Sequence, residues 1–201
     1  MFFEKHDERD DYKIWLSQDK IETLLEYTSD SQHQLAFELD VRCGLRSDEI
    51  VRAKPADLND TEAGHMLRVD NAKSDGIRQT PVPDQLATKL KTINDVRPEP
   101  STHPIINSQS STPGASTRTL RNWISDTSDR IAEEEGDEMW ANLTMHDLRR
   151  TWATSLKGQD VDAMIVCDWG GWSDLETFLK HYRGTFSPEA QRRQREKVAW
   201  L

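Results

Sequence analysis

Two residues in the second half of the chain have side chains suited to phosphate chemistry. They are His146 and Arg149, within the segment TMHDLRRTWAT at 144–154. Residues three apart on a helix share one face. Arginine offers a fixed charge and a planar fork of donors for phosphate oxygens, and histidine exchanges a proton near neutral pH. The pair therefore indicates a site that binds a phosphate and reacts with it.

Four other residues extend this interpretation, although each is ordinary when taken alone. Arg46 follows a chain break at Gly44 and opens a new helix, a place where anions are favoured. Lys73 lies at the tip of a predicted hairpin, from which it can reach a phosphate or a minor groove. Trp172 follows a glycine pair, and Tyr182 is the only one of the three tyrosines that comes after all these signals.

The elements that must position these residues are mainly helical. Amphipathic patterns predict helices over 18–29, 32–45, 47–53, from 83 onward, and over 118–135, 145–157, 160–168 and 174–182. The capping-box spacing of Ser173 and Glu176 supports the start of the last of these. Alternation over 65–70 and 77–82, on either side of a Ser-Asp-Gly turn, is typical of a β-hairpin. The pattern predicts an α+β fold, mainly α with a small antiparallel β-sheet.

The motifs resemble those of tyrosine recombinases, the family of phage integrases and Xer-type recombinases. The matching pieces are GLRSDE at 44–49, AKSDGIR at 72–78, HDLRRTWAT at 146–154, GWSD at 171–174, and Tyr182. One such piece is weak, whereas all five in the family's order and separations are specific. The resemblance covers about residues 14 to 190, and it implies the catalytic-domain fold of that family.

The resemblance also implies the chemistry. Arg46 and Arg149 would hold the non-bridging oxygens of the scissile phosphate, and Tyr182 would attack the phosphorus to give a 3′-phosphotyrosyl link. Lys73 would protonate the leaving 5′-hydroxyl. Fixed cations aimed at the charge of the transition state supply much of such catalysis. The covalent link conserves the bond energy, so no cofactor is expected.

Three supporting roles follow from the same resemblance. His146 would assist proton transfer at the tyrosine, and Trp172 would contact the phosphate through its indole N–H. Glu49 would brace the active-site arginine or its helix. No carboxylate or His/Cys cluster has metal-site spacing, so the reaction is expected to be metal-independent.

The sequence departs from the family in two places. Trp172 and Tyr182 are ten residues apart, one more than the family spacing, and His181 occupies the usual tyrosine position. Either the helix before the tyrosine starts later or contains a bulge, which we favour, or the tyrosine is displaced. Family members also carry a helical N-terminal domain that clamps DNA. Here the pattern begins almost at once, so weaker DNA binding is expected.

The charge of the chain is unusual for a protein that acts on DNA. The 36 acidic residues against 26 Lys and Arg give a net charge of −10, and lysine is scarce, with 10 Lys against 16 Arg. Such a surface is typical of proteins that stay soluble in high salt, which suggests a halophilic origin. The alternative is an ordinary acidic cytosolic protein.

Other features bound the location of the protein. No apolar stretch approaches the ~18 residues of a membrane span, and no leader opens the chain. We therefore expect a cytoplasmic protein without membrane contact. Cys43 and Cys167 fall in apolar helical patterns and are expected to be buried free thiols.

These patterns predict a flexible arm over 1–13, a catalytic domain over 14–186 and a C-terminal tail helix over 187–201. Six Lys or Arg and two Glu between Lys180 and Lys197 make the tail basic. The resemblance implies double-stranded DNA as the partner, on which the chain is expected to form a dimer or tetramer from a free monomer. The preferred function is site-specific recombinase or integrase. A non-cleaving DNA-binding remnant or regulator of a mobile element, and a type IB topoisomerase-like nicking-closing enzyme, are the alternatives.

Overall fold

The computed structural model of the chain describes residues 1–5, 12–28, 30–70, 76–107, 114–182, 192–193 and 195–198, without the side chains of Thr177, Lys180, His181 and Tyr182. The described part is mainly helical with two small antiparallel sheets, so the expected fold class is confirmed. The helices are α1 (Gln18–Glu26), α2 (Ser31–Cys43), α3 (Ser47–Ile50), α4 (Asp84–Val96), α5 (Thr117–Glu135), α6 (Met145–Gly158), α7 (Ala163–Gly170) and α8 (Leu175–Tyr182). Short 3₁₀ turns span Pro55–Asp57 and Glu138–Asn142.

The larger sheet contains the predicted hairpin and one further strand. Strands β3 (Leu58–Thr61), β4 (Gly64–Asp70) and β5 (Ile77–Pro81) form an antiparallel meander, with Val69 opposite Arg78. Strand β3 was not predicted, because its letters LNDT are short and polar and it pairs only at the sheet edge. The meander places Arg78 near the end of α7, which packs against β5.

The smaller sheet forms where the sequence predicted a loose arm. Strands β1 (Phe2–Lys5) and β2 (Tyr12–Trp15) pair antiparallel. Side chains of α6 hold β2 and the residue after it. Ile14 N donates to Asp147 Oδ1 at 3.0 Å, and Leu16 N donates to Thr151 Oγ1 at 3.0 Å. Local sequence could not predict these strands, because β2 is fixed by contacts more than 130 residues away.

Two groups of buried apolar residues form the core. The larger group joins α1 to α6 with the meander and contains the buried pair Ile105–Ile106. The smaller group lies between α6, α7 and α8 and includes Trp152 and Phe178. Cys43 and Cys167 are buried and unbonded to each other, as expected. Within the described ranges, no helix is both long and apolar enough to span a membrane.

Candidate active site

The junction between α2 and α3 places Arg46 at the mouth of a cleft. Gly44 ends α2 in the left-handed conformation with φ 65°, and a side chain there would collide with the ring of Trp152. The chain then turns, and Arg46 becomes the N-cap of α3. Its backbone N–H donates to Glu49 Oε2 at 2.7 Å, so the carboxylate at the third helical position caps the start of α3. The fold therefore requires a glycine immediately before the Leu-Arg pair that opens α3.

The first turn of α6 carries the His-x-x-Arg pair. Asp147 accepts from the backbone N–H of Thr144 at 3.0 Å and from its hydroxyl at 2.6 Å, so the start of the helix is fixed. Burial raises the pKa of Asp147, while Arg150 and these hydrogen bonds oppose that effect. His146 is exposed, whereas the side chain of Arg149 is only 2% exposed.

A cleft of about 340 Å³ brings three of the predicted site residues together. Arg46 lies on one wall, and His146 and Arg149 come from α6. Thr117, the first residue of α5, also faces it. The other lining residues come from α2, α3 and their junction, and from the start of α6: Asp40, Leu45, Ser47, Asp48 and Met145.

Glu49 is the carboxylate around which the arginines are arranged. Its side chain is 2% exposed, and its Oε1 accepts from Arg46 Nη1 at 2.9 Å. Its Oε2 accepts from Arg78 Nη2 at 2.6 Å and lies 4.0 Å from Arg149 Nη1. Burial alone would raise the pKa of Glu49, but Arg78, the Arg46 backbone N–H and the other arginines outweigh it and hold the pKa below its ordinary value. The bracing position that the resemblance implied for Glu49 is thus occupied by a buried, ionised carboxylate.

The end of α7 holds the arginines from the other side. Arg149 donates to the carbonyls of Gly44 and Gly170, and Arg46 Nη2 donates to the carbonyl of Gly171 at 2.9 Å. Helix C-terminal carbonyls lack partners within the helix and carry partial negative charge, so cations are stabilised there. Both arginines are therefore fixed before any ligand binds.

Trp172 covers the guanidinium of Arg149. The ring centroid lies 4.4 Å from Arg149 Cζ, and the ring packs 6.2 Å from Trp152 and 5.0 Å from Phe178. A side chain at Gly170 would collide with the Trp172 ring, which explains why a glycine precedes the turn. Trp172 thus lies beside one predicted phosphate-binding arginine and joins it to α8.

Two predicted site residues have no described side chain. Lys73 lies in 71–75, outside the described residues, and Tyr182 is the last residue of α8, with its side chain also outside them. The helix begins at Leu175, and Phe178 N donates to Asp174 O at 3.2 Å. A cap at Ser173 would make Asp174 the first residue of the helix, so the helix starts one residue later than that cap predicts.

Two functional candidates were not identified from the sequence. Arg78, whose side chain is 8% exposed, pairs with Glu49 and donates to the carbonyl of Trp169. Asp40 is 1% exposed and lines the cleft. Burial raises the pKa of Asp40 well above its ordinary value, an effect that Arg149 opposes. Arg78 belongs to the hairpin segment AKSDGIR, which predicted a role only for Lys73, and a lone aspartate in an amphipathic helix carries no local signal.

The described part of the chain contains no group of three His, Cys, Asp or Glu side chains close enough to hold a metal ion. Among the described residues, the arginines that line the cleft are Arg46 and Arg149, and two guanidinium groups placed this way suit the binding of a tetrahedral anion such as a phosphate diester.

Comparison with known proteins gives a consistent result. The profile of the Phage integrase family matches residues 14–187. The structure of XerA recombinase aligns with a TM-score of 0.72 at 20% identity, covering 92% of this chain and 64% of XerA. The Tn1549 transposon integrase in complex with a circular intermediate DNA aligns with a TM-score of 0.71 at 16% identity, covering 92% of this chain and 66% of that one.

The XerH site-specific recombinase bound to difH substrate also aligns, with a TM-score of 0.63 at 17% identity. The alignment covers 92% of this chain and 54% of XerH. At these identities the likeness establishes the fold. The chain spans just under two thirds of the length of XerA. No curated protein sequence matched the chain.

Proposed function

This chain belongs to the phage integrase family of tyrosine recombinases, and we propose that it cuts and rejoins DNA strands at specific sites through a 3′-phosphotyrosyl intermediate. The observation that carries the proposal is the shared cleft of Arg46 and Arg149, two residues far apart in the chain that Glu49 and the end of α7 hold together. A phosphate diester in this cleft meets two fixed guanidinium groups and an exposed histidine.

The reaction transfers the DNA phosphate from the 5′-oxygen of the cut strand to the tyrosine oxygen, so one phosphate ester replaces another. The Tyr182 hydroxyl attacks the phosphorus, the bond to the 5′-oxygen breaks, and Lys73 gives that oxygen a proton. His146 takes part in moving the tyrosine proton. Arg46 and Arg149 neutralise the charge that grows on the non-bridging oxygens. Attack by the 5′-hydroxyl of another strand reverses the steps and restores the tyrosine, so no outside energy source is needed.

Trp172 and Glu49 support this chemistry in different ways. Trp172 covers Arg149 and offers an indole N–H to the phosphate. Glu49 keeps the arginines in place without contacting DNA. The later start of α8 supports the interpretation that the extra residue before Tyr182 is absorbed at the beginning of that helix.

The proposed partner is double-stranded DNA, and the proposed assembly is a free monomer that forms dimers or tetramers on it. In the described part of the tail, Arg193 donates to the carbonyl of Gly158, and Lys197 lies 3.1 Å from Asp160. Such exposed pairs contribute little stability, and we propose that the tail over 187–201 docks on a neighbouring protomer when the chain assembles on DNA. Sedimentation of the full chain with and without its target duplex tests the assembly, and Lys197→Glu should change assembly on DNA but not the free monomer.

We further propose that the protein acts in the cytoplasm and that this cytoplasm has a high salt concentration. The scarcity of lysine and the net charge of −10 support adaptation to high salt, with a solvated acidic surface away from the arginine cleft. We propose that residues 14–186 form the catalytic domain, which carries out the strand cleavage and rejoining.

Covalent capture tests the proposed activity even before the target sequence is known. The chain is incubated, with EDTA present, with a pool of nicked duplexes whose central segment is randomised, so that cleavage releases a short strand and traps the adduct. We expect an SDS-resistant protein–DNA band for the wild type and none for Tyr182→Phe. A DNA-binding remnant would retain the pool without forming the band. A topoisomerase-like enzyme would form the band but would rejoin the cut strand only to its original partner and not to a new one.

A further inference from the structure

Three arginines from three elements bind three successive carbonyls at the end of α7. Arg78 on β5 donates to Trp169 O, Arg149 on α6 donates to Gly170 O, and Arg46 before α3 donates to Gly171 O. This end of the helix is therefore the common support of the arginine cluster, and a shift of the turn after α7 would move all three side chains.

Arg78 differs from the other two arginines in where it points. Arg46 and Arg149 line the cleft, whereas Arg78 is absent from its lining. Its Nη2 lies 2.6 Å from Glu49 Oε2, and its Cδ lies where a side chain at Gly171 would be, 2.7 Å from a Cβ built there. Arg78 thus fills the space behind Glu49 and the glycine turn, away from the residues that line the cleft.

The charges around Glu49 indicate that Arg78 keeps this carboxylate away from Arg149. One buried carboxylate faces three guanidinium groups, and Arg78 makes the shortest of the three contacts. Burial lowers the pKa of Arg78 to about 10, with Glu49 opposing that effect, so the side chain remains charged at neutral pH. While Arg78 binds Oε2, Arg149 stays 4.0 Å away. Without Arg78, Glu49 would attract Arg149 out of position, and the carboxylate would neutralise the charge of the Arg149 guanidinium.

We propose that Arg78 is a positioning residue for strand cleavage: it holds Glu49 and the end of α7 so that Arg46 and Arg149 face the scissile phosphate. The inference rests on the proposed function for its link to cleavage. Its structural part, the orientation of Arg46 and Arg149, does not depend on that function.

The test uses the full chain and three variants. Arg78→Gln removes the charge, and Arg78→Lys keeps the charge but not the planar fork. Arg97→Gln is the matched control. Arg97 also donates to backbone carbonyls, those of Glu99, Pro100, His103 and Pro104, but it does not line the cleft. Single-turnover cleavage, binding to an intact duplex and the melting temperature are measured for each.

We expect Arg78→Gln to slow cleavage by about 10²-fold while DNA affinity changes by no more than about threefold, since many other contacts share binding. Arg78→Lys should recover part of the rate. Arg97→Gln should lower the melting temperature and leave the rate unchanged below it. Wild-type cleavage by Arg78→Gln, or a loss of rate that simply follows its loss of stability or affinity, would overturn the proposal.

A second measurement separates this inference from the proposed function. The side-chain Nε–H signals of Arg46 and Arg149 are recorded by NMR with ¹⁵N-arginine labelling and assigned with Arg46→Lys and Arg149→Lys. They should shift in Arg78→Gln and stay in place in Arg97→Gln. If the wild type forms no adduct but the signals shift, the proposed function fails and the positioning role stands. Unshifted signals overturn the positioning role whatever the cleavage result.

Discussion

At the scale of single residues, the site is a balance of buried charges. Arg149 lies between Glu49 and Asp40, and Trp172 covers its guanidinium. Removing one member of such a buried network leaves the others uncompensated, which costs more than the loss of one contact. The arginines are held by carbonyls and Glu49 already, so the cleft needs little rearrangement to receive a phosphate.

Replacing either cleft arginine by lysine should damage chemistry more than binding. Lysine keeps a charge but cannot hold two oxygens with a planar fork, so Arg46→Lys and Arg149→Lys should slow cleavage of nicked suicide DNA by about 10²-fold or more. Affinity for an intact duplex, measured by fluorescence anisotropy, should fall much less. Arg130→Lys is the control, since Arg130 lies on α5 over the ring of Tyr27 and is absent from the cleft lining. Wild-type cleavage by either cleft variant would contradict the assignment.

Asp40 should make stability depend on pH. Burial raises its pKa well above the ordinary value, Glu49 and Asp147 add to that effect, and Arg149 opposes it. The folded state therefore holds an extra proton between the unfolded and folded pKa values, and wild-type stability falls as pH rises through that window.

Asp40→Asn cannot titrate and should escape this loss. It should match the wild type below about pH 3, where the carboxyl is protonated in both states. At neutral pH its free energy of unfolding should exceed that of the wild type, by a difference on the order of 1 kcal/mol. Urea unfolding over a pH series measures this; a difference that stays constant or shrinks as pH rises would show that Asp40 is not the titrating group.

The residues of the site differ in how well sequence predicts them. Arg46, His146 and Arg149 lie in segments whose letters and order are specific, and the structure places all three at one cleft. Arg78 lies in one of these segments, AKSDGIR at 72–78, but the segment indicates no role for it, and Asp40 lies outside all of them. Their importance comes from partners on other elements, Glu49 and Trp169 for the first and Arg149 for the second.

At the scale of elements, the end of α7 is the part on which the site depends. Gly171 is left-handed with φ 66°, and Trp172 N returns to Cys167 O at 3.0 Å to close the helix. The turn thus aims three carbonyls at the arginines. The helices were predictable from their apolar periodicity, whereas β1, β2 and β3 were not, because long-range pairing and a polar edge determine them.

Two glycines allow the role of this turn to be separated from backbone strain. Gly171 and Gly136 have nearly equal φ values, 66° and 68°. A Cβ at Gly171 would lie 2.7 Å from Arg78 Cδ, whereas one at Gly136 meets nothing within 4 Å. Alanine at either position should cost about 1–2 kcal/mol of stability from the left-handed backbone alone.

Only Gly171→Ala should also slow cleavage at temperatures well below its melting point, because it displaces Arg78. Thermal melts and single-turnover rates for both variants make the comparison. Equal cleavage rates in the two variants would show that the turn does not position the arginines.

At the scale of the whole molecule, we expect folding stability and DNA binding to respond to salt in opposite ways. The net charge is −10, and self-repulsion destabilises the folded chain when screening is weak. The Debye length falls from about 10 Å at 0.1 M salt to about 3 Å at 1 M, which removes most of that repulsion.

The melting temperature should therefore rise between low and molar salt. A gain of about 2 kcal/mol would raise it by about 4–8 °C for a domain of this size. DNA affinity should fall over the same range, since binding releases counterions. A melting temperature that does not rise with salt would leave the acidity without this explanation.

The identity of the residue that becomes joined to DNA is the strongest test of the proposed chemistry. The trapped adduct is digested with protease and nuclease, and the peptide that carries the nucleotide is sequenced by mass spectrometry. We predict that the nucleotide is attached to Tyr182, and that Tyr182→Phe abolishes the adduct while the protein still binds the duplex. An adduct on another residue, or none from wild-type protein that binds its target, would contradict the account.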